Sequence, residues 1–97
     1  MARIELAPQV AEDFDRIIDH LLMHLIVHSG QRIDEIIAAL DVLRQNPLIG
    51  RPVTVDQREL VIGRDARGYI ALYRYESLMD MVFVLAIRSQ REAGYAK

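Results

Sequence analysis

The chain begins with an alternation. Arg3-Ile4-Glu5-Leu6 sets polar against apolar positions, which predicts a short strand with one buried face. At Pro8 the period changes. Val10, Phe14, Ile17, Ile18, Leu21, Leu22 and Leu25 recur at helical spacing and form one apolar face. Proline suits the first turn of that helix, where a missing N–H does no harm. Glu12, Asp13 and Asp15 near its start suit the positive end of the helix dipole. Ser29-Gly30 is the expected stop. A second helix is predicted from Gln31 to Gln45, with Ile33, Ile36, Ile37, Leu40 and Leu43 turned inward. Asn46-Pro47 ends it, because a residue before proline avoids the helical region.

NPLIGRPV, residues 46–53, is a loop stiffened by Pro47 and Pro52. Beyond it the period shortens to two, and three strands are predicted: Arg58–Ile62, Tyr69–Glu76 and Met81–Arg88. The short turns GRDARG and SLMD make neighbouring strands antiparallel. In the middle strand Tyr69, Ala71, Tyr73 and Tyr75 share one face, and Ile70, Leu72, Arg74 and Glu76 share the other. The last strand, MVFVLAI, is apolar on both faces and belongs in the middle of a sheet or under cover on both sides. The pattern therefore gives an α+β fold in the order β-α-α-β-β-β. An N-terminal strand, an antiparallel helical hairpin and a three-stranded antiparallel meander form a single domain over residues 1–97.

Composition adds to this picture. An apolar fraction of 52% is high for 97 residues, and a chain this short can have apolar surface left for a partner. Without cysteine there is neither a disulfide framework nor a thiolate metal site, which fits a reducing compartment. No apolar run approaches the roughly 20 residues that cross a bilayer. No signal peptide is apparent, so a cytoplasmic protein with no membrane partner is expected. The net charge of −2 is uneven: residues 1–45 carry four arginines against eight acids, whereas residues 46–97 carry seven arginines and Lys97 against six acids. Arginine in the second half suits bidentate contacts with carboxylate or phosphate. Net negative charge makes the chain a poor general nucleic-acid binder.

His20, His24 and His28 lie four apart in HLLMHLIVH, a spacing that can place two imidazoles on zinc. With no HExxH pattern and no cysteine nearby, they are read as surface histidines flanking the apolar face, and neither a metal site nor a cofactor is expected. Met23 and Val27 fall on the side of the helix away from that face, where apolar residues suggest a partner surface. Dinucleotide, P-loop and Gly-x-Ser-x-Gly motifs are absent. Ser29, Ser77 and Ser89 lack an evident His–acid relay.

The remaining chemistry lies at the end of the chain, in VLAIRSQREAGYAK. Arg88, Arg91, Glu92 and Tyr95, with Arg74 if its strand pairs with the last one, supply guanidinium, carboxylate and phenol. In principle these can stabilise charge and move protons at a phosphodiester. Such a charged strand end can equally be a solvated terminus.

NPLIGRPV after the helical hairpin, YIALYRYE in the sheet and VLAIRSQREAGY at the end together resemble the RelE/ParE superfamily of type II toxin–antitoxin toxins, which includes plasmid-stabilisation proteins. The resemblance spans nearly the whole chain and implies a β-α-α-β-β-β toxin fold neutralised by a cognate antitoxin. Met23 and Val27 would belong to the antitoxin surface. The superfamily divides into RelE-like ribosome-dependent mRNA interferases and ParE-like poisons of DNA gyrase. The lysine-poor sequence, the lack of histidine beyond residue 28 and the IRSQRE ending are more similar to the ParE branch. That branch implies a gyrase-binding edge at Arg88, Arg91 and Tyr95 and no enzymatic activity. The alternative is an endoribonuclease using Arg74, Arg88, Arg91, Glu92 and Tyr95. A homodimer is left open.

Overall fold

A computed structural model of the chain describes residues 1–24, 29–64 and 67–96; of Ser29, only the backbone is described. Seven elements follow one another: β1 (Arg3–Leu6), α1 (Pro8–Met23), α2 (Ser29–Val42), β2 (Arg51–Pro52), β3 (Arg58–Ile62), β4 (Tyr69–Glu76) and β5 (Met81–Ser89). The strands form one sheet in the order β1-β5-β4-β3-β2. All neighbours are antiparallel except β1 and β5, which run parallel from Arg3 opposite Met81 to Leu6 opposite Val84. The apolar strand β5 thus lies between two partners, as its two-sided hydrophobicity requires.

The expected α+β architecture is the observed one, with corrections at its seams. Ser29-Gly30 opens α2 and does not end α1, whose last helical residue is Met23. The second helix stops at Val42. Leu43, Arg44 and Gln45 bond back three residues, to Leu40, Asp41 and Val42, which winds a tighter turn. The loop NPLIGRPV contains β2, a two-residue edge strand paired with Glu59 and Arg58. Leu22 and Ile37, expected inside, are more than half exposed. Leu25 and His28 lie outside the described residues.

One face of the sheet carries the main core. Tyr69, Ala71 and Tyr73 of β4, with Val82, Val84 and Ile87 of β5, pack beneath Val10, Ile17 and Leu21 of α1 and Ile36, Leu40 and Leu43 of α2. Strict alternation along β5 would send Val84 and Ile87 to opposite faces. The register slips between Leu72 and Tyr73: Leu72 faces Ala86 and Tyr73 faces Val84, so Leu85 is an extra residue. This bulge turns Ile87 and Ser89 back to the helical side and places Arg88 on the other face, beside Ile70.

Asp13 is 0% exposed and belongs to this core instead of serving the helix dipole from the surface. Beyond Leu6 and Ala7 the chain leaves the sheet at Pro8, and the end of β5 loses its β1 neighbour. Side chains of α1 take its place: Asp13 Oδ2 accepts from the Ile87 N–H at 2.8 Å, and Arg16 Nη2 donates to the Ile87 carbonyl at 3.1 Å. A buried strand end without such partners would leave costly unpaired backbone groups.

The loop after the hairpin is also pinned to the sheet. The Gly50 N–H donates to the Tyr73 hydroxyl at 2.8 Å, and Arg58 Nη1 donates to the carbonyls of Leu48 and Gly50 at 3.1 and 2.8 Å. A Cβ at residue 50 would lie 2.7 Å from that hydroxyl, so the close approach admits only glycine.

Candidate functional site

Arg88 and Arg91, two residues either side of the strand end, leave on opposite sides of the sheet. Arg88 follows the bulge onto the second face, where its guanidinium lies 5.2 Å from the Tyr95 ring centroid. It is half-buried, and its Nη1 donates to the carbonyls of Ser89 at 3.3 Å and Glu92 at 3.0 Å. Among the described side chains its Nε is the one buried polar atom with no hydrogen-bond partner. Arg88 therefore packs against the tail; it does not project into solvent as a free cation, contrary to the expectation of one cationic edge with Arg91.

Tyr95 closes this second face. Its hydroxyl donates to Glu59 Oε2 at 2.6 Å, and Arg51 holds Glu59 Oε1 through Nη2 and Nε at 3.1 and 3.3 Å. Burial, and then the hydrogen bond to the Glu59 carboxylate, push the Tyr95 phenol well above the usual tyrosine range. The tail thus crosses a surface where Ile70 and Ala86 are buried outside the main core.

Glu92 turns the other way. Arg16 Nε donates to Glu92 Oε1 at 2.7 Å, and the Ser89 N–H donates to Oε2 at 2.7 Å. Burial alone would raise the Glu92 carboxyl, but the hydrogen bonds from Arg16 and Ser89 outweigh it and hold the group below its ordinary value. Glu92 is therefore an anionic tie between the tail and α1.

Arg74 stays apart from this group. It stacks on Phe83 at 4.3 Å and lies four residues along β4 from Ile70, the partner of Arg88. At roughly 3.3 Å per residue, this separates the two arginines by about 13 Å of strand. Of the five side chains grouped by sequence, only those of Arg88 and Tyr95 pack together, and Arg88 meets Glu92 at its backbone carbonyl alone.

Sequence reasoning missed the helical side of the strand end. A cleft of about 770 Å³ opens there, floored by Ile17, Leu21 and Tyr69 and rimmed by Arg16, Arg32, Arg67 and Arg91. The four arginines come from α1, α2, the β3–β4 turn and the tail, so no local spacing announces them. His20 also lines the cleft and stacks on His24 with ring centroids 4.3 Å apart. Among the described residues no three His, Cys, Asp or Glu side chains converge as a metal site would require. Met23 is 81% exposed at the same end of α1, whereas Val27 lies outside the described residues.

The model of the ParE toxin of the type II toxin–antitoxin system parDE matches residues 4–94. The chain belongs to the ParE toxin family. Among relatives of this ParE-family toxin is toxin RelE3 of Caulobacter vibrioides, 29% identical over 92 residues that cover 95% of this chain and 98% of RelE3. A chain of the chromosomal ParDE system from P. aeruginosa superposes with a TM-score of 0.74 at 21% identity, covering 92% of this toxin and 96% of that chain. This likeness confirms the fold of strand, two helices and antiparallel strands. Among the described residues of the toxin, no helix is long and apolar enough to cross a membrane.

Proposed function

We propose that this ParE-family toxin arrests growth by binding DNA gyrase, that it acts in the cytoplasm as part of a plasmid-stabilisation type module, and that a cognate antitoxin neutralises it. The observation that carries the reading is the Tyr95–Glu59 hydrogen bond at 2.6 Å. A general base must give up its proton near neutral pH, and a phenol buried against a carboxylate is poorly suited to that. The other candidate groups are occupied as well: Glu92 by Arg16, Arg88 by backbone carbonyls and the Tyr95 ring, and Arg74 by Phe83. A surface with these groups engaged supports binding better than phosphodiester cleavage. Arg91 is exposed and makes no side-chain hydrogen bond among the described residues, so it is the best-placed residue to meet a target.

One observation favours the endoribonuclease reading. Arg88 and Tyr95 lie together on the face of the sheet that the helices leave open. That chemistry would require Tyr95 to leave Glu59 when RNA binds. Inducing the toxin in growing cells and following thymidine and leucine incorporation separates the two. Gyrase poisoning stops thymidine incorporation first, and an earlier fall in leucine incorporation would overturn the proposal.

A further inference from the structure

In a chain of net charge −2, the cleft between the helical hairpin and the end of the sheet is lined by four arginines against one glutamate. Arg16 is matched there by Asp13 and Glu92 at 2.7 Å each. Arg32, Arg67 and Arg91 have no ion-pair partner among the described residues, and the one side-chain hydrogen bond of Arg32 there is a long one, 3.4 Å, to the Arg67 carbonyl. Guanidiniums from α2, the β3–β4 turn and the tail thus share one cavity without a counter-charge. Like charges in a partly dehydrated cleft repel, and a ligand with several negative charges is stabilised among them. Phosphate suits them well, because the planar guanidinium fork donates two N–H groups to two oxygens of one phosphate.

Size and floor narrow the class of phosphate. At about 770 Å³ the cleft falls in the range that takes a ligand of several groups, well beyond a single ion. Its floor of Ile17, Leu21 and Tyr69 is apolar, and the exposed His20 ring, stacked on His24, also lines it. A small inorganic anion would leave that floor uncovered. A fatty acid, with one carboxylate, would leave most of the unpaired guanidiniums without a partner. A polynucleotide needs a cationic track longer than one cleft, yet α1 and α2 carry exposed Asp15, Asp19, Asp34 and Glu35. A single nucleotide with a chain of phosphates meets all of these features. Its phosphates pair with the arginines, and its base covers the apolar floor and stacks on the His20 ring or a guanidinium plane.

We propose that this cleft binds a free nucleoside polyphosphate, with Arg32, Arg67 and Arg91 on the phosphates. Occupancy follows from the cleft alone and does not depend on the target of the toxin.

The test is equilibrium dialysis of the full-length toxin at low salt against ATP, AMP, adenosine and sodium tripolyphosphate. ATP should bind at least about tenfold more tightly than AMP, which lacks two phosphates, and than tripolyphosphate, which lacks the base; adenosine should not bind measurably. A variant carrying Arg32→Gln and Arg67→Gln, which keeps Arg91, should melt like the parent and bind ATP at least about tenfold more weakly. Arg44→Gln, an exposed arginine paired with Asp41 outside the cleft, should bind normally. Arg67→Gln alone changes one exposed turn residue and should already weaken ATP, which decides the matter if the double variant melts early. No ATP bound at millimolar concentration, or equal affinity in parent and arginine variants, would overturn the site. Tripolyphosphate held as tightly as ATP would make the cleft a plain anion site and overturn the nucleotide assignment. A short single-stranded oligonucleotide that binds more tightly than ATP, and weakens in the double variant, would assign the cleft to nucleic acid and overturn it as well. Gyrase inhibition is read separately from supercoiling, so each of these failures leaves that reading standing.

Discussion

Replacing Tyr95 with phenylalanine separates the two readings of the C-terminal tail. The substitution keeps the ring, its burial and its place under Arg88 at 5.2 Å, and removes one hydroxyl. That hydroxyl is the described partner of Glu59 Oε2, and Glu59 is only 9% exposed. A hydrogen bond to a charged acceptor contributes about 1.5–3 kcal/mol. Arg51 still holds Oε1, but its side chain is 59% exposed, and a pair so open to water offsets little of the loss. A loss of about 2 kcal/mol lowers the midpoint of a domain this size by about 10 °C. Removing a general acid or base would instead lower a reaction rate by roughly 10²- to 10⁴-fold with no required change in stability. The assay pairs calorimetric melting of purified parent and Tyr95→Phe with growth inhibition at a temperature below both midpoints. The account expects a lower melting temperature and undiminished toxicity. A variant that melts within about 2 °C of the parent would refute the claim that Tyr95 ties down the tail. Abolished toxicity in a folded variant would show that the phenol is a chemical group.

Asp13→Ala removes the acceptor of the Ile87 N–H, of Gln9 and of Arg16 at once; it should cost about 3–5 kcal/mol in urea unfolding, and a loss below 1 kcal/mol would contradict the role given to Asp13. Arg91→Ala should change stability by no more than about 0.5 kcal/mol because the side chain is exposed, while toxicity falls; full toxicity would make the strand end a solvated terminus. Glu92 titrates below its ordinary value, so its contribution is complete above the unfolded value of about 4.3 and is lost as pH falls through the lower folded value. Parent and Glu92→Gln should therefore differ in stability at neutral pH and converge in acid, and a gap that stays constant with pH would refute the Arg16–Glu92 tie.

The fold was legible where the period of the pattern is local. Alternation in YIALYRYE and RELVI returned the bounds of β4 and β3, and the two-sided apolar run of β5 gave its interior position. Pattern reading failed where a partner distant in sequence decides the outcome. The extra residue at Leu85 looks like any other apolar residue, yet it sets which face receives Ile87 and which receives Arg88. Asp13 reads as a helix-start acid until β1 ends and exposes the Ile87 amide 74 residues away. Arg88 and Tyr95 are seven residues apart, and their meeting could be anticipated. Glu59, 36 residues from Tyr95, could not, nor could the convergence of Arg16, Arg32, Arg67 and Arg91.

The central claim, that this ParE-family toxin poisons by binding gyrase, is tested most directly with purified components. Toxin is added to gyrase, ATP and relaxed plasmid, and in parallel to a translating extract in which mRNA 5′ ends are mapped. The account predicts loss of supercoiling with cleaved DNA trapped on gyrase, and intact mRNA. Fresh mRNA cuts with supercoiling unaffected would contradict it.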